Sequence, residues 1–538
     1  MFTGAPPEPP PPTPPRRRIA VNTAIFAVGT FASRIAGLAR EIVQAAFFAT
    51  TAAASAFTLA SQVPNLFSNL FSQAALSAAF VPVFTGLLQE GRKREAFRVA
   101  ATLFWLILIG LGALTVLWIG VADLVVPLFT GSHVPAGLTA GLSQVLFPVV
   151  LLLSLTGLFV GILQSYDEFT IPAIAPAVWN LVILVLLIAL HSRFHGDNKI
   201  YAYAIAWLAA TVVQLLMVAA ALGRVEFRLS LTFDWRDERV RRVLILFLPV
   251  TISVGIINLD IFINALAASI ISSHAPAAIN NAFRIYMLPQ GVFSVAVATV
   301  LFPTFSRLAA RRDVRRMRQT LGNGIRQINL LMIPSAALLL VLATPITRLV
   351  YQHGTFGPYS THLVSTALFW FSFSLPFAGV NLLLTRTFFA VQRPWIPTKL
   401  AALNIVVDAI LSISLAKPLG VAGPVIGTAV ANMLMTAMQL HRLRIGFNGR
   451  LEGGQTLMIT ARIVVATAIM AVVARGIWLV LDHIFGRSVP AEIVSVGFAF
   501  AVAGLLYAKL VLAMRIPEAR QIEELIIGRL RGRAPAAG

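Results

Sequence analysis

Long apolar stretches recur along almost the whole chain, from Ala20 to Met514, with short polar segments between them. One membrane-spanning helix needs about 20 mostly apolar residues, so a chain of this kind folds as a bundle of such helices. The composition agrees, because 58% of the 538 residues are hydrophobic and 12% are charged. A soluble domain carries about 25% charged residues to cover its surface. The sequence therefore predicts an all-α polytopic membrane protein.

The number of apolar stretches predicts about fourteen transmembrane spans. We place them near 20–48, 53–86, 97–130, 137–165, 171–191, 200–222, 240–272, 277–306, 321–351, 361–391, 396–416, 420–441, 456–481 and 491–513. An even number of spans puts both termini on one side of the membrane. The charges of the connecting segments give an independent check of this arrangement.

Basic residues fall in alternate connecting segments, as the positive-inside rule requires of cytoplasmic loops. The basic segments are at 16–18, 92–98, 236–242, 311–318, 442–450 and 529–533. The opposite segments, such as GSHVPAG and AKPLG, carry almost no charge, with HSRFHGDNK as the exception. The net charge of +21 thus reflects topology, with both termini cytoplasmic. We expect no binding to nucleic acid.

No catalytic or cofactor motif is visible in the sequence. The chain contains no cysteine, which excludes disulfides and cysteine-ligated metals. The histidines have no metal-ligand spacing, and no Walker loop, dinucleotide fingerprint or nucleophile–base arrangement occurs. We therefore expect that the protein is not an enzyme and holds no cofactor other than a coupling ion.

The first and the eighth predicted spans carry charged residues among apolar ones. The first span carries Arg34, Arg40 and Glu41, and the eighth carries Arg284 close to Pro289. A charge deep in the bilayer is costly, so such residues usually face a cavity or a partner. The alternative is that one end of the span snorkels to the interface while Arg40 and Glu41 form a structural pair.

Three arginines around one cavity would form an anion site. Guanidinium groups match phosphate in a bidentate way, so the headgroup of a pyrophosphate-bearing amphiphile fits this chemistry. A carboxylate fits it almost as well. We name Arg34, Arg40 and Arg284 as the cationic members of this site.

A second polar set lies on the seventh, eleventh and twelfth spans. Asn404 and Asp408 are four residues apart and share one helix face, and Asp260 and Asn264 have the same spacing. Thr428 adds a hydroxyl. Carboxylate and amide oxygens suit a hard cation or a proton relay, but interhelical hydrogen bonds would use the same residues.

Several strings along the chain match one known family in order. They include SRIAGLAREIV, FTIPAIAPAVWN, FRIYMLPQGVFSVAVATVLFPTFSR, YQHGTFGPYS, RTFFAVQRPWIPTK and NIVVDAILSISLAKPLGVAGPVIGTAVA. In these strings the chain resembles the MurJ (MviN) lipid II flippases of the multidrug/oligosaccharidyl-lipid/polysaccharide exporter superfamily.

The resemblance implies two six-helix lobes at 20–222 and 240–441 around a central cavity, and two further helices at 456–513 that form a groove for the lipid tail. From its composition we predict a disordered, proline-rich cytoplasmic tail at 1–19, and a basic cytoplasmic tail at 514–538 follows the last helix. The same resemblance implies alternating access that carries lipid II, a polyprenyl-pyrophosphate-linked peptidoglycan precursor, to the outer leaflet of the bacterial inner membrane. Membrane lipids and cell-wall synthesis proteins would be the other partners.

The resemblance also implies roles for individual residues. The cavity set would be Ser33, Arg34, Arg40, Glu41, Asn180 and Arg284. A coupling-ion site, for Na⁺ or H⁺, would use Asn404, Asp408 and Thr428. In this site Asn264 replaces the aspartate usual in the family, and Asp260 one turn earlier is a substitute carboxylate.

The sequence departs from the family's pattern at several other positions. Glu41 stands where the family usually has aspartate. Ser55, Ser68 and Gln73 replace charged residues of the second span, and Arg393 replaces an acidic residue. These departures bear on the head group that is carried and on gating.

Two alternative functions belong to other classes. A cation-coupled small-molecule exporter of the same superfamily would need an acidic, aromatic cavity for cationic substrates, whereas the intramembrane charges here are largely basic. A non-transporting membrane scaffold of cell-wall assembly would dock its partners on the basic loops and tails.

Overall fold

The computed structural model describes residues 16–70, 73–225, 227, 229–447 and 452–530. Within these residues the chain is helical, and no β-strand is present. The α-helices are α1 Arg16–Phe48, α2 Ala52–Leu70, α3 Gln73–Gln89, α4 Lys93–Phe129, α5 Ala136–Leu146, α6 Pro148–Ser165, α7 Thr170–Leu190, α8 Ile200–Ala221, α9 Glu238–Ser269, α10 Ala275–Pro289, α11 Val295–Ala310, α12 Val314–Val341, α13 Ala343–Tyr351, α14 Pro358–Ala390, α15 Trp395–Leu419, α16 Ala422–Gly446, α17 Gly453–Phe485, α18 Val489–Ala513 and α19 Pro517–Leu530.

The prediction of an all-helical membrane protein is confirmed. Each predicted span coincides, over its described residues, with one helix or with two consecutive helices. Among the described residues, ten of these segments are long and apolar enough to cross a bilayer. Parts of the two predicted tails, at 1–15 and 531–538, lie outside the described residues.

Some of the predicted spans are two helices rather than one. Pro148 begins α6, because proline is tolerated in the first turn, where its missing N–H has no helical partner. Pro289 ends α10, and a π-helical turn at Gln290–Ser294 joins it to α11. Pro64, Pro82 and Pro127 instead lie inside helices.

The chain divides into two compact units. The first contains the described residues of 1–43, 70–120 and 144–251. Its core lies where α6 packs against α3 and α8. Phe80, Phe84, Leu158 and Ile162 are almost wholly buried there. In the same unit α7 packs along α8, and this pair carries the aromatic residues of the candidate site.

The second unit contains the described residues of 44–69, 121–143 and 252–538. Its core is built around α14, which contacts α10, α11, α12 and α16. The last two apolar helices, α17 and α18, pack against each other, and α17 also packs along α12.

A buried charge cluster attaches the terminal helix α19 within the second unit. Arg326 on α12 is 6% exposed and forms ion pairs with Glu518 at the start of α19 and with Glu452 just before α17. Its Nη1 lies 3.2 Å from Glu452 Oε2. One arginine therefore joins three helices.

Candidate transport site

The first-span charges lie in the first unit, where Arg40 and Glu41 form a buried ion pair. Arg40 is 6% exposed and Glu41 8%. Nη2 of Arg40 donates to Oε1 of Glu41 over 2.5 Å. A buried ion pair needs good geometry and further contacts to offset the loss of hydration. The neighbouring aromatic rings supply these contacts.

Two tryptophans flank the Arg40 guanidinium. Its Cζ lies 5.1 Å from the ring centroid of Trp179 on α7 and 5.3 Å from that of Trp207 on α8. The two indoles meet edge to face, and Nε1 of Trp179 donates to Thr211 Oγ1 over 3.0 Å. A cation above an indole face is stabilised by about 2 kcal/mol when it is desolvated. We call Arg40, Glu41, Trp179 and Trp207 the arginine box.

Ser33 and Asn180, two further members of the predicted cavity set, lie beside the arginine box. Asn180 Nδ2 donates to Pro176 O over 2.9 Å and approaches the backbone oxygen and Oγ of Ser33 at 3.4 Å. Arg34, in contrast, is exposed. Ser33, Asn180, Arg40 and Glu41 are therefore gathered at the α1–α7 contact, while Arg34 has a different environment.

Arg284 belongs to the second unit. It lies on α10, is exposed, and precedes the π-helical turn by about a turn and a half. The widened turn interrupts regular hydrogen bonding, and such turns frequently mark functional sites in helices.

The second polar set comes together within the second unit. Asn264 Nδ2 donates to Asp408 Oδ2 over 2.8 Å, and Thr428 Oγ1 donates to Asn264 Oδ1 over 3.2 Å. Ser412 Oγ lies within donor distance of Asp408 Oδ1, Asn264 Oδ1 and Pro424 O, at 3.1–3.2 Å. Asp408 and Ser412 are fully buried. We call Asn264, Asn404, Asp408, Ser412 and Thr428 the polar cluster.

The donor set of this cluster fits a small hard cation. It offers one carboxylate, two amide oxygens and two hydroxyls, which are the ligand types that such cations prefer. Asn404 Oδ1 is buried without a hydrogen-bond partner in the described part of the chain. An unsatisfied buried oxygen is costly, and a bound cation would satisfy it. The described residues contain no group of three or more carboxylate, histidine or cysteine ligands.

A small cavity of about 50 Å³ adjoins the polar cluster. Its polar lining includes Asn264, Thr428, Gln62 and Asn280, and its apolar lining includes Phe283 and Phe371. The cavity therefore places open space beside two residues of the polar cluster.

Three residues of these sites were not identified from the sequence. Ser412 continues the spacing of Asn404 and Asp408 by another four residues, so the same helix face could have indicated it. Trp179 and Trp207 read as ordinary apolar residues of their spans. Nothing in the local sequence signals that their rings flank an arginine that is 139 or more residues away in the chain.

The uncharged positions of the second span are described only in part. Ser55 is fully buried, and its Oγ accepts from Ala277 N over 3.2 Å at the start of α10. It therefore has a structural role in helix packing. The side chains of Ser68, Gln73 and Asp260 lie outside the described residues.

Apolar helices that enclose buried ionised and amide groups define a polytopic membrane transporter. Solved structures share this fold. "Lipid II flippase MurJ, inward closed conformation" aligns with a TM-score of 0.75 at 22% identity, over 93% of this chain and 99% of that one. An inward-facing MATE-family multidrug resistance transporter of the MOP superfamily aligns with a TM-score of 0.66 at 16% identity, over 80% of this chain and 97% of that one.

Sequence comparison identifies the family. The family model described as "Lipid II flippase MurJ" matches residues 44–494. The probable lipid II flippase MurJ of Rhizobium tropici is 32% identical over 463 residues, which cover 84% of this chain and 85% of that protein. The chain belongs to the MurJ lipid II flippase family.

Proposed function

We propose that this protein moves lipid II from the cytoplasmic to the outer leaflet of the bacterial inner membrane by alternating access. Membership of the MurJ family and the name of its relative support the substrate class. The observation on which the mechanism depends is the buried arginine box of the first unit. A membrane-embedded arginine held in a fixed orientation can serve as the binding group for an anionic head group.

The pyrophosphate of the head group would bind to Arg34, Arg40 and Arg284, with Ser33 and Asn180 as hydrogen-bonding neighbours. Glu41 accepts from Nη2 of Arg40 over 2.5 Å, whereas Nε of Arg40 is buried without a hydrogen-bond partner among the described residues. A guanidinium carries five N–H donors, so a phosphate can bind at Nε while Glu41 keeps its contact. The two tryptophan rings restrict the guanidinium to this position.

A cation would bind to Asn264, Asn404, Asp408 and Thr428, and Ser412 would complete this set. When bound, it supplies positive charge that compensates the buried Asp408. The polar cluster itself fixes the Asp408 carboxylate through Asn264 and Ser412. Sodium and a proton both fit this chemistry. Departure of a negative head group from the cytoplasm is also favoured by about 2.3 kcal/mol per charge per 100 mV of inside-negative potential.

The basic connecting segments support a topology in which both termini are cytoplasmic. In this orientation the segments at 92–98, 236–242 and 311–318 face the site of lipid II synthesis. Proteins of cell-wall synthesis are the partners expected on these surfaces.

Complementation with an Arg40→Ala/Arg284→Ala variant tests the proposal. The host would be a bacterial strain depleted of its own lipid II flippase. We expect wild type to restore growth and the variant to fail at equal membrane abundance. The matched control removes two exposed arginines outside the basic connecting segments, Arg193→Ala/Arg487→Ala, and should restore growth. If the Arg40→Ala/Arg284→Ala variant restored growth, the proposed anion site would be wrong.

Reconstituted vesicles with labelled lipid II separate flipping from a scaffold role. Wild type should move the label between leaflets. If wild type rescued growth but moved no label, the scaffold function would replace this proposal. Transport of organic cations without lipid II movement would instead favour a small-molecule exporter.

A further inference from the structure

A large pocket opens at one end of the second unit. Its volume is about 1050 Å³, and its walls are the α11–α12 turn, the α14–α15 turn and the end of α16. Spanning helices end at these turns, so the pocket lies at the level of the lipid head groups. Trp395 lies at the start of α15 and is 65% exposed. Because tryptophan is enriched at membrane interfaces, its position supports placing the pocket at the level of the head groups.

The rim of this pocket is basic. Arg312, Arg393 and Arg442 line it, and all three side chains are exposed. The acidic lining residue is Asp313, whose Oδ1 caps α12 by accepting from Arg316 N over 3.0 Å. Its Oδ2 lies 3.6 Å from Arg316 Nε. Since Asp313 is engaged by Arg316, the three rim arginines present a net positive surface.

The floor of the pocket is apolar. Met317, Phe388 and Leu443 form it and are almost fully buried. Phe389 and Ile445 also line the pocket and are 39% and 60% exposed. A soluble phosphate would use the rim alone. An amphiphile with a phosphate head and hydrocarbon chains would use both the rim and the floor.

We propose that this pocket binds an anionic phospholipid, with its phosphate on the arginine rim and its upper acyl chains on the apolar floor. Basic pockets between spanning helices at the cytoplasmic side bind anionic head groups, and guanidinium forks match phosphate geometry. The site lies wholly in the second unit and does not depend on the flippase proposal. The bilayer itself supplies the ligand at high local concentration.

The test measures saturable binding of fluorescently labelled phosphatidylglycerol to the full-length protein in neutral detergent. The Arg312→Gln/Arg393→Gln/Arg442→Gln variant should bind it more weakly, by about fivefold for each arginine removed. The matched control, Arg236→Gln/Arg241→Gln/Arg242→Gln, removes the same charge from an exposed segment of the first unit and should bind like wild type. A Phe389→Ala variant, which removes an exposed ring, should weaken binding with no change in apparent Tm.

Three outcomes would overturn the proposal. Equal binding by the rim variant and wild type would show that the arginines do not hold the lipid. Equal affinity for phosphatidylcholine would show that the site does not select negative charge. Displacement of the lipid by millimolar inorganic phosphate would identify a site for free anions.

Discussion

The guanidinium carbon of Arg40 lies 5.1 Å from the ring centroid of Trp179, so the buried cation rests on an indole face inside a membrane-spanning bundle. Trp207 lies on α8 at a similar distance, and Glu41 neutralises the charge. A lone arginine at this depth would cost several kcal/mol. The box offsets this cost while it holds the group in a defined orientation, which is what recognition of an anion requires.

The tryptophan contact gives the first prediction. Trp179→Leu should lower the rate of lipid II movement by about thirtyfold, because a desolvated cation–π contact contributes about 2 kcal/mol. Trp179→Phe should retain more activity, since it keeps an aromatic face. Flipping in reconstituted vesicles measures both. Trp118→Phe, which alters an indole stacked on Phe147 in the same unit, should leave the rate near wild type; equal losses in all three variants would contradict a specific role for Trp179.

The ion pair gives a second prediction, on stability. Glu41→Ala should lower the free energy of unfolding by about 3 kcal/mol, because it leaves Arg40 as a buried, unpaired charge. Adding Arg40→Met to Glu41→Ala should recover part of this loss. Thermal unfolding in detergent supplies the comparison. If the double variant were less stable than Glu41→Ala alone, Arg40 would not depend on Glu41 for charge compensation.

The polar cluster predicts an effect of single hydroxyl removal. Ser412→Ala should weaken the dependence of transport on the coupling cation by several fold, because it removes one hydroxyl oxygen from the proposed ligand set and a hydrogen bond that orients Asp408. Ser414→Ala is the matched control: Ser414 is exposed on the same helix, and its Oγ donates to the backbone oxygen of Leu411 over 3.1 Å. Transport measured against sodium concentration and against pH would distinguish the two ions. An unchanged cation response in Ser412→Ala would argue against an ion at this cluster.

The ion pairs of Arg326 with Glu518 and Glu452 give a prediction on the stability of the protein and the attachment of α19. Arg326→Ala should destabilise the protein by about 3–5 kcal/mol, because Glu518, 1% exposed, would remain as a buried charge. Removal of the exposed Arg316–Asp313 pair by Arg316→Ala should cost less than about 1 kcal/mol. Limited proteolysis should cut the Arg326→Ala variant first near residues 513–517. Cleavage at the same rate in both variants would show that the cluster does not hold the helix.

The sequence predicted the spans because lipid exposure imposes a strong and local signal. Each span must be about 20 residues of apolar helix, and the basic loops set a topology that can be checked from the chain alone. The breaks at Phe147, between α5 and α6, and at Leu342, between α12 and α13, were not predicted. At each break the sequence of the two helices forms one continuous apolar stretch.

The site residues were predicted unevenly, and the reason is physical. Arg40 and Asp408 are conspicuous because a charge in an apolar helix is rare. Ser412 was missed because a serine can satisfy itself on its own helix backbone. The tryptophans were missed because a ring's partner depends on how α7 and α8 pack beside α1, and no local sequence pattern specifies this arrangement.

The π-helical turn at Gln290–Ser294 sets the phase between α10 and α11. Val295 N donates to Gln290 O across this turn, which accommodates one residue more than an α-helical turn. Deletion of one residue within this turn would convert the segment to an unbroken α-helix and leave the downstream residues close to their present orientation, because the turn had absorbed the extra residue. Deletion of one residue inside α11, before Phe305, would instead rotate everything beyond the deletion by about 100°, and the buried Phe305 would leave the core of the second unit. The widened turn is therefore the place in this span where the chain tolerates a change in length.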